Sequence, residues 1–306
     1  MQHVLSRARR PAGRVWRMAA PSLLATSDLH VSHRDNRPVL DTIRPHTDED
    51  WLIVAGDVAE KTDTIRGALE LLRERFAKVI WVPGNHELWT PADDEVPARG
   101  VERYDHLVRM CRELDVTTPE DPYPVWRDGE REVVIVPLFV LYDYSFRVPG
   151  TTAEEALEHA HETRVVCTDE VLLHSDPHES RTAWCHDRVR RTLPRLEAIP
   201  ADLPTVLVSH WPLHRAPTRR LHYPQFGIWC GTELTADWHL RFRALAEVHG
   251  HLHIPVTDRI DGVPFEEVSL GYPREWRRRG GPGDPLHSIL PPAGERTFEE
   301  LVRAHR

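Results

Sequence analysis

The sequence predicts a layered α/β fold built on parallel strands. Three observations carry this expectation. Short apolar runs end repeatedly in polar residues. The first three such ends, at Asp28, Asp57 and Asn85, stand 29 and 28 residues apart. A segment of helical period lies between the second run and the third. A strand, a crossover helix and the next parallel strand need about that much chain.

The elements follow in order. Ser22 to Asp28 is the first run, and Trp51-Leu52-Ile53-Val54-Ala55, followed by Gly56-Asp57, is the second. From Thr64 to Phe76 the residues Ile65, Leu69, Leu72 and Phe76 recur on one helical face. Val79-Ile80-Trp81-Val82 is the third run, and it ends in Pro83-Gly84-Asn85-His86. Val133 to Val136 and Thr205 to Val208 read as further strands, with helical stretches between them that include Arg181 to Leu196. Glu247-Val248-His249-Gly250-His251 opens another strand-to-loop transition. Asp258 to Val268 reads as a hairpin around Asp261-Gly262, a dipeptide favoured where φ is positive.

The organisation expected is a leader over residues 1–20, one domain over 21–280 and an irregular Gly/Pro-rich tail over 281–306. The leader reads as disordered or as lying ahead of a true start at Met18. Its Arg9-Arg10 pair suggests an export signal, but the apolar stretch behind it is too short for one. Residues 87–204 form a long connection and are expected to hold insertions that shape the substrate site. Aromatic residues and cysteines at Leu141 to Phe146, Val166 to Glu170 and Arg181 to Cys185 suggest a partly apolar wall there. Ordinary packing of helices on a sheet is the alternative.

Composition narrows the class. The 306 residues carry 39 Lys+Arg against 48 Asp+Glu, a net charge of −9, which argues against broad nucleic-acid binding. No apolar run reaches the ~20 residues of a membrane span. The cysteines at 111, 167, 185 and 230 form no CxxC pair and read as reduced thiols of a cytoplasmic protein. Lys61 and Lys78 are the only lysines and Asn36 and Asn85 the only asparagines, a bias that makes the exceptions informative.

Five polar clusters carry the chemistry: Asp28-Leu29-His30, Gly56-Asp57, Gly84-Asn85-His86-Glu87, Ser209-His210 and Gly250-His251-Leu252-His253. Any one of them is an ordinary turn or cap. As a set, they all follow expected strands, where the ligand crevice of an α/β sheet belongs. They bring together oxygen and imidazole donors without thiolate, a set suited to Mn, Fe or Zn.

In that order the clusters resemble the signature of the calcineurin-like metallophosphoesterases: DxH, GD, GNH[DE], H and GHxH. The resemblance implies a four-layer αββα sandwich with an inserted cap region, and two divalent or mixed-valence metal ions at the strand ends, Mn and/or Fe, with Zn as an alternative. It assigns Asp28, His30 and His253 to one ion, Asn85, His210 and His251 to the other, and Asp57 to both. It sets His86 beside the leaving-group oxygen as a catalytic residue rather than a ligand. The reaction implied is phosphoester hydrolysis by a water whose pKa the two ions lower. Two positions depart from the pattern: Ser209 precedes His210 where Gly is common, and Glu60 stands where Asp or Asn is common.

Within the family, the stretches Val82 to Thr90, His210 to Arg243 and Gly250 to Trp276 are similar to a set of actinobacterial metallophosphoesterases. The resemblance implies release of 4′-phosphopantetheine from a holo acyl carrier protein. Such carriers are acidic. Arginines at 215, 219 and 220, and at 274, 277, 278 and 279, are candidates for docking one. A general or cyclic-nucleotide phosphodiesterase or phosphomonoesterase acting on a small substrate is the alternative within the class. A non-catalytic binding protein that kept the fold is the alternative outside it.

Overall fold

The structure, a computed structural model, describes residues 21–129 and 131–291. The expected leader lies outside these residues, as does the end of the expected tail.

Among the described residues, ten strands form two sheets. In the first, β1 (Leu23–Thr26), β2 (Trp51–Val54) and β3 (Lys78–Trp81) run parallel. The second begins with β4 (Val125–Asp128) and β5 (Arg131–Pro137), an antiparallel pair. It continues through β6 (Thr205–Val208) and β7 (Ala244–His249), both parallel to β5. The hairpin of β8 (Val256–Ile260) and β9 (Val263–Glu267) closes it, in the order β4-β5-β6-β7-β9-β8. Asp261 and Gly262 turn that hairpin with φ of 51° and 87°, as the dipeptide predicts. The last strand, β10 (His287–Leu290), pairs antiparallel with β1 at the edge of the first sheet. This corrects the expectation of irregular chain from residue 281: the Gly/Pro-rich stretch is a connector, and the four residues after it complete the sheet edge.

Alternation along each strand explains the layering, because successive side chains point to opposite faces. Leu23, Ala25, Ile53, Ala55 and Ile80 face Ile135, Val206, Val208 and Val248 in a core between the sheets. Leu24, Leu52, Val54, Val79 and Trp81 face the other way. They pack under α1 (Arg37–Thr42), α2 (Thr62–Arg75) and, beyond the short α3 (Asn85–Leu88), α4 (Gly100–Glu113). On the far side Val134, Val136 and Leu207 pack under α7 (Arg181–Glu197) and α8 (Trp238–Arg241). Two further helices, α5 (Ala153–Glu162) and α6 (Asp169–Leu172), lie within the long connection. The result is an αββα sandwich. A last short helix, α9 (Pro273–Arg278), follows β9 at the edge where the parallel strands end.

The long connection holds a core of its own. Leu141, Tyr142, Tyr144, Cys167, Trp184 and Cys185 are buried together with Trp211 and Trp229. These side chains therefore pack rather than line a wall. All four cysteines are unpaired and buried. Among the described residues, no helix is long and apolar enough to cross a membrane.

Candidate metal centre

The five clusters meet where the carboxyl ends of β1, β2, β3, β6 and β7 converge. Five of the seven donor residues take up left-handed backbone: Asp28 (φ 52°), His30 (41°), Asp57 (54°), His251 (69°) and His253 (57°). For a residue with a Cβ this costs roughly 1–3 kcal/mol each and persists only where the surroundings enforce it. Here loop-to-loop hydrogen bonds do so: Asp28 N donates to Gly56 O, His30 N to Asp57 O and Gly250 N to His210 O, each at 3.0 Å. The glycines allow the approach. A Cβ on Gly84 would lie 2.1 Å from Asp57 Oδ1, and one on Gly250 would lie 2.1 Å from Ser27 Oγ and 2.2 Å from Asp28 Oδ2.

The donors fall into two groups around Asp57. In the first, single donor atoms of Asp28, His30, Asp57 and His253 all lie within 4.8 Å of one another. His30 Nε2 is 3.2 Å from His253 Nε2, which is 2.9 Å from Asp28 Oδ1. In the second, Asn85 Oδ1, His210 Nε2 and His251 Nδ1 form a triangle with sides of 3.1, 3.1 and 3.2 Å. Asp57 turns one oxygen to each group: Oδ1 is 3.5 Å from His210 Nε2, and Oδ2 is 3.9 Å from His30 Nε2.

Neighbouring groups aim these atoms. His210 Nδ1 donates to Ala55 O at 2.8 Å. Burial holds the ring neutral, with its pKa lowered to about 4, so Nε2 presents a lone pair. Asn85 Nδ2 donates to Asp169 Oδ1 at 3.0 Å, so the carbonyl oxygen faces the triangle. Two lone pairs thus point at each other across 3.1 Å, an arrangement that a cation between them stabilises. The carboxylates ask for positive charge too. Burial, then Asp28 and Glu87, push Asp57 well above its usual range. Burial opposes ionisation of Asp28, but His253, His210 and His30 together hold it well below its own range. His253 rises to about 10 against burial, drawn up by Asp28 and by Glu275, which takes Nδ1 at 2.7 Å. In this arrangement the proton on His253 Nε2 stands in for a cation.

His86 lies beside both groups without joining either. Its Nδ1 donates to Glu60 Oε1 at 2.9 Å, and its Nε2 is 3.1 Å from the Tyr272 hydroxyl and 3.8 Å from Asp57 Oδ2. Trp89 packs on the ring at 3.7 Å between centroids. Glu60 is pulled down to about 2, its hydrogen bonds to His86 and Ser32 outweighing burial. The departure at position 60 therefore keeps a carboxylate on this histidine.

Several residues of the site were not singled out in the sequence. Glu87, already in the third cluster, accepts from the backbone N–H groups of Asp57, Val58 and Gly84 at 2.9, 2.7 and 2.9 Å, and ties two clusters together. Asp169 and Glu275 orient Asn85 and His253. Tyr272 stacks on His30 at 4.3 Å. Ser269 Oγ donates to Asp28 Oδ2 at 2.6 Å. Glu275 also accepts from Tyr272 N at 2.8 Å at the start of α9, but no local sequence pattern announced these residues.

Close-set nitrogen and oxygen lone pairs beside paired carboxylates, at the shared edge of two sheets, fit divalent cations and describe a metallohydrolase. The calcineurin-like phosphoesterase profile matches residues 21–255, and the chain belongs to that family of metal-dependent phosphoester hydrolases. It is 56% identical over 274 residues to the acyl-carrier-protein phosphodiesterase PptH of Mycobacterium tuberculosis, covering 89% of this chain and 84% of that protein. The crystal structure of that species' phosphopantetheinyl hydrolase PptH superposes with a TM-score of 0.88 at 55% identity, over 91% of this chain and 99% of the other. That likeness bears out the sandwich fold expected from the five clusters.

Proposed function

We propose that this protein hydrolyses the phosphodiester that joins 4′-phosphopantetheine to the serine of an acyl carrier protein. The supporting observation is the high identity to a protein named for that substrate, spread over nearly the whole chain. In this reading Asp28, His30 and His253 would hold one divalent ion and Asn85, His210 and His251 the other, with Asp57 placed between the two groups to serve either. Mn, Fe or Zn would suit the donor set. When bound, the ions polarise the phosphoryl oxygens and lower the pKa of the attacking water toward ~7.

The chain's own residues do the rest. A neutral Asn85 would bind an ion through its carbonyl without cancelling positive charge, since its Nδ2 is turned to Asp169. The strained loops fix the donors in place before substrate arrives. His86 offers Nε2 to the departing seryl oxygen, while Glu60 holds Nδ1 and stabilises the ring when it is charged. Such a contribution is worth ~10²–10⁴ in rate.

The test is to incubate the protein with Mn²⁺ and a holo acyl carrier protein and follow the carrier's intact mass. The expected result is loss of the pantetheine arm with wild type and none with Asp57→Ala. An unchanged carrier, in a sample that still hydrolyses an aryl phosphodiester, would overturn the substrate assignment and favour a small-substrate phosphodiesterase.

A further inference from the structure

Of the two asparagines, Asn85 faces the metal centre and Asn36 does not. Asn36 is buried at 1% exposure. Its Nδ2 donates to Leu29 O at 2.9 Å and to Gly271 O at 3.0 Å, and its Oδ1 accepts from Trp276 Nε1 at 2.9 Å. One side chain thus sutures the loop after His30 to α9, two segments 240 residues apart in the chain. Both bring arginines: Arg34 and Arg37 from the loop and the start of α1, and Arg274, Arg277, Arg278 and Arg279 from α9 and its end.

This seam lies against the metal centre. Tyr272, at the start of α9, stacks on His30 and meets His33 edge-on at 5.2 Å. The Arg274 guanidinium sits 5.3 Å from the Tyr272 ring. The acids of the rim are already engaged: Asp35 by Arg277, and Glu275 by His253, with Arg274 at 3.7 Å. Asp41, further along α1, lies 3.8 Å from Arg75. Arg279 donates to backbone oxygens of His253 and Leu270. Among the described residues, Arg34, Arg37 and Arg278 are exposed and have no side-chain partner. In the other arginine group, Arg220 is paired with Asp258 and Arg215 donates to Arg147 O, which leaves Arg219 alone exposed and without a side-chain partner there among the described residues. Unpaired arginines gathered at one rim, in a chain of net charge −9, concentrate positive potential at the mouth of the site.

We infer that this rim is the docking surface for an acidic partner, the carrier protein itself. The inference rests on the substrate reading above. The carrier's acidic face would lie on α9 and the loop over residues 33–37, so that its modified serine enters beside His86. A nucleic acid fits less well, because the aromatic rings of the rim are already packed: Tyr272 on His30, and Trp276 against Asn36 and Arg277.

The test compares the triple variant Arg34→Glu/Arg37→Glu/Arg278→Gln with a control of equal charge change, Arg127→Glu/Arg190→Glu/Arg191→Gln. The control arginines are 61%, 68% and 70% exposed, on β4 and α7. For the rim variant we expect KM for holo carrier to rise ~10-fold or more, within the ~10–10³ range that electrostatic steering supplies. Hydrolysis of an aryl phosphodiester and the control variant's KM should stay at the wild-type level. Affinity for apo carrier, read by anisotropy of a labelled carrier, should fall in parallel. A wild type that binds carrier at the rim but does not cleave it would sink the substrate reading and keep the surface. The surface itself is overturned if wild type does not bind carrier, if the control weakens binding as much as the rim variant, or if the rim holds a single-stranded oligonucleotide more tightly than carrier.

Discussion

His86 shows how one side chain is tuned by three neighbours. Glu60 takes its Nδ1 proton, Trp89 covers its face, and Tyr272 meets its Nε2. A ring held this way matters most when the leaving oxygen is basic. We therefore predict that His86→Gln lowers kcat on a seryl diester by ~10²–10⁴-fold. The loss should be much smaller for a 4-nitrophenyl diester, whose leaving group needs little help from a proton. Elemental analysis should find the metal content of the variant unchanged. Equal losses on both substrates would instead give His86 a role in binding the phosphoryl group. The convergence of the seven candidate donors and this histidine was legible in the sequence, because each cluster follows an apolar run. Glu60 was visible only as an oddity, and its meaning comes from a contact across 26 residues that no local pattern announces.

At the scale of elements, α6 is the least anticipated part. It has one turn and lies inside the long connection, yet it joins two regions. Asp169 on its first turn accepts from Asn85 Nδ2 and, at 2.7 Å, from Trp89 Nε1. Glu170 beside it accepts from Trp229 Nε1 and the Tyr144 hydroxyl, both within 2.8 Å, and pairs with Arg181. The connection expected to shape a substrate pocket therefore braces the metal centre from behind. Asp169→Ala should weaken metal binding by ~10–100-fold, the usual cost of losing an orienting partner, as read by chelator competition. Asp169→Asn keeps an acceptor and should recover part of it. Unchanged affinity in the Ala variant would mean that Asn85 is aimed by the strand end alone. The sequence showed helix and strand periods well: Thr205–Val208 is β6 as expected, and α7 overruns its expected end by one residue. It hid β10, whose four residues follow a turn-rich stretch and gain their conformation from β1. It also hid whether aromatic residues face a core or a pocket, since both places call for the same side chains.

At the scale of the molecule, the centre is where local strain and buried charge accumulate, and cations are the natural counterweight. Saturating Mn²⁺ should raise stability by ~2.7 kcal/mol at a hundredfold excess over Kd. For a domain of this size that is a rise in Tm of several degrees, roughly 2–4 °C per kcal/mol. A chelator should reverse it, and Asp57→Ala should abolish it; a Tm indifferent to metal would argue against a centre that couples to folding. The consequence reaches beyond the reaction. Asp28, His30, Asp57 and Asn85 hang from the first sheet, and His210, His251 and His253 from the second. Each group of candidate donors draws on both sheets, so an ion held by either would be a rivet through the sandwich. With both rivets in place the two halves should move as one plate. Without them, the sheets are joined at that edge by side-chain packing and a few hydrogen bonds, such as His210 Nδ1 to Ala55 O and Ser27 N to Val268 O, and the sandwich should begin to part at its working end.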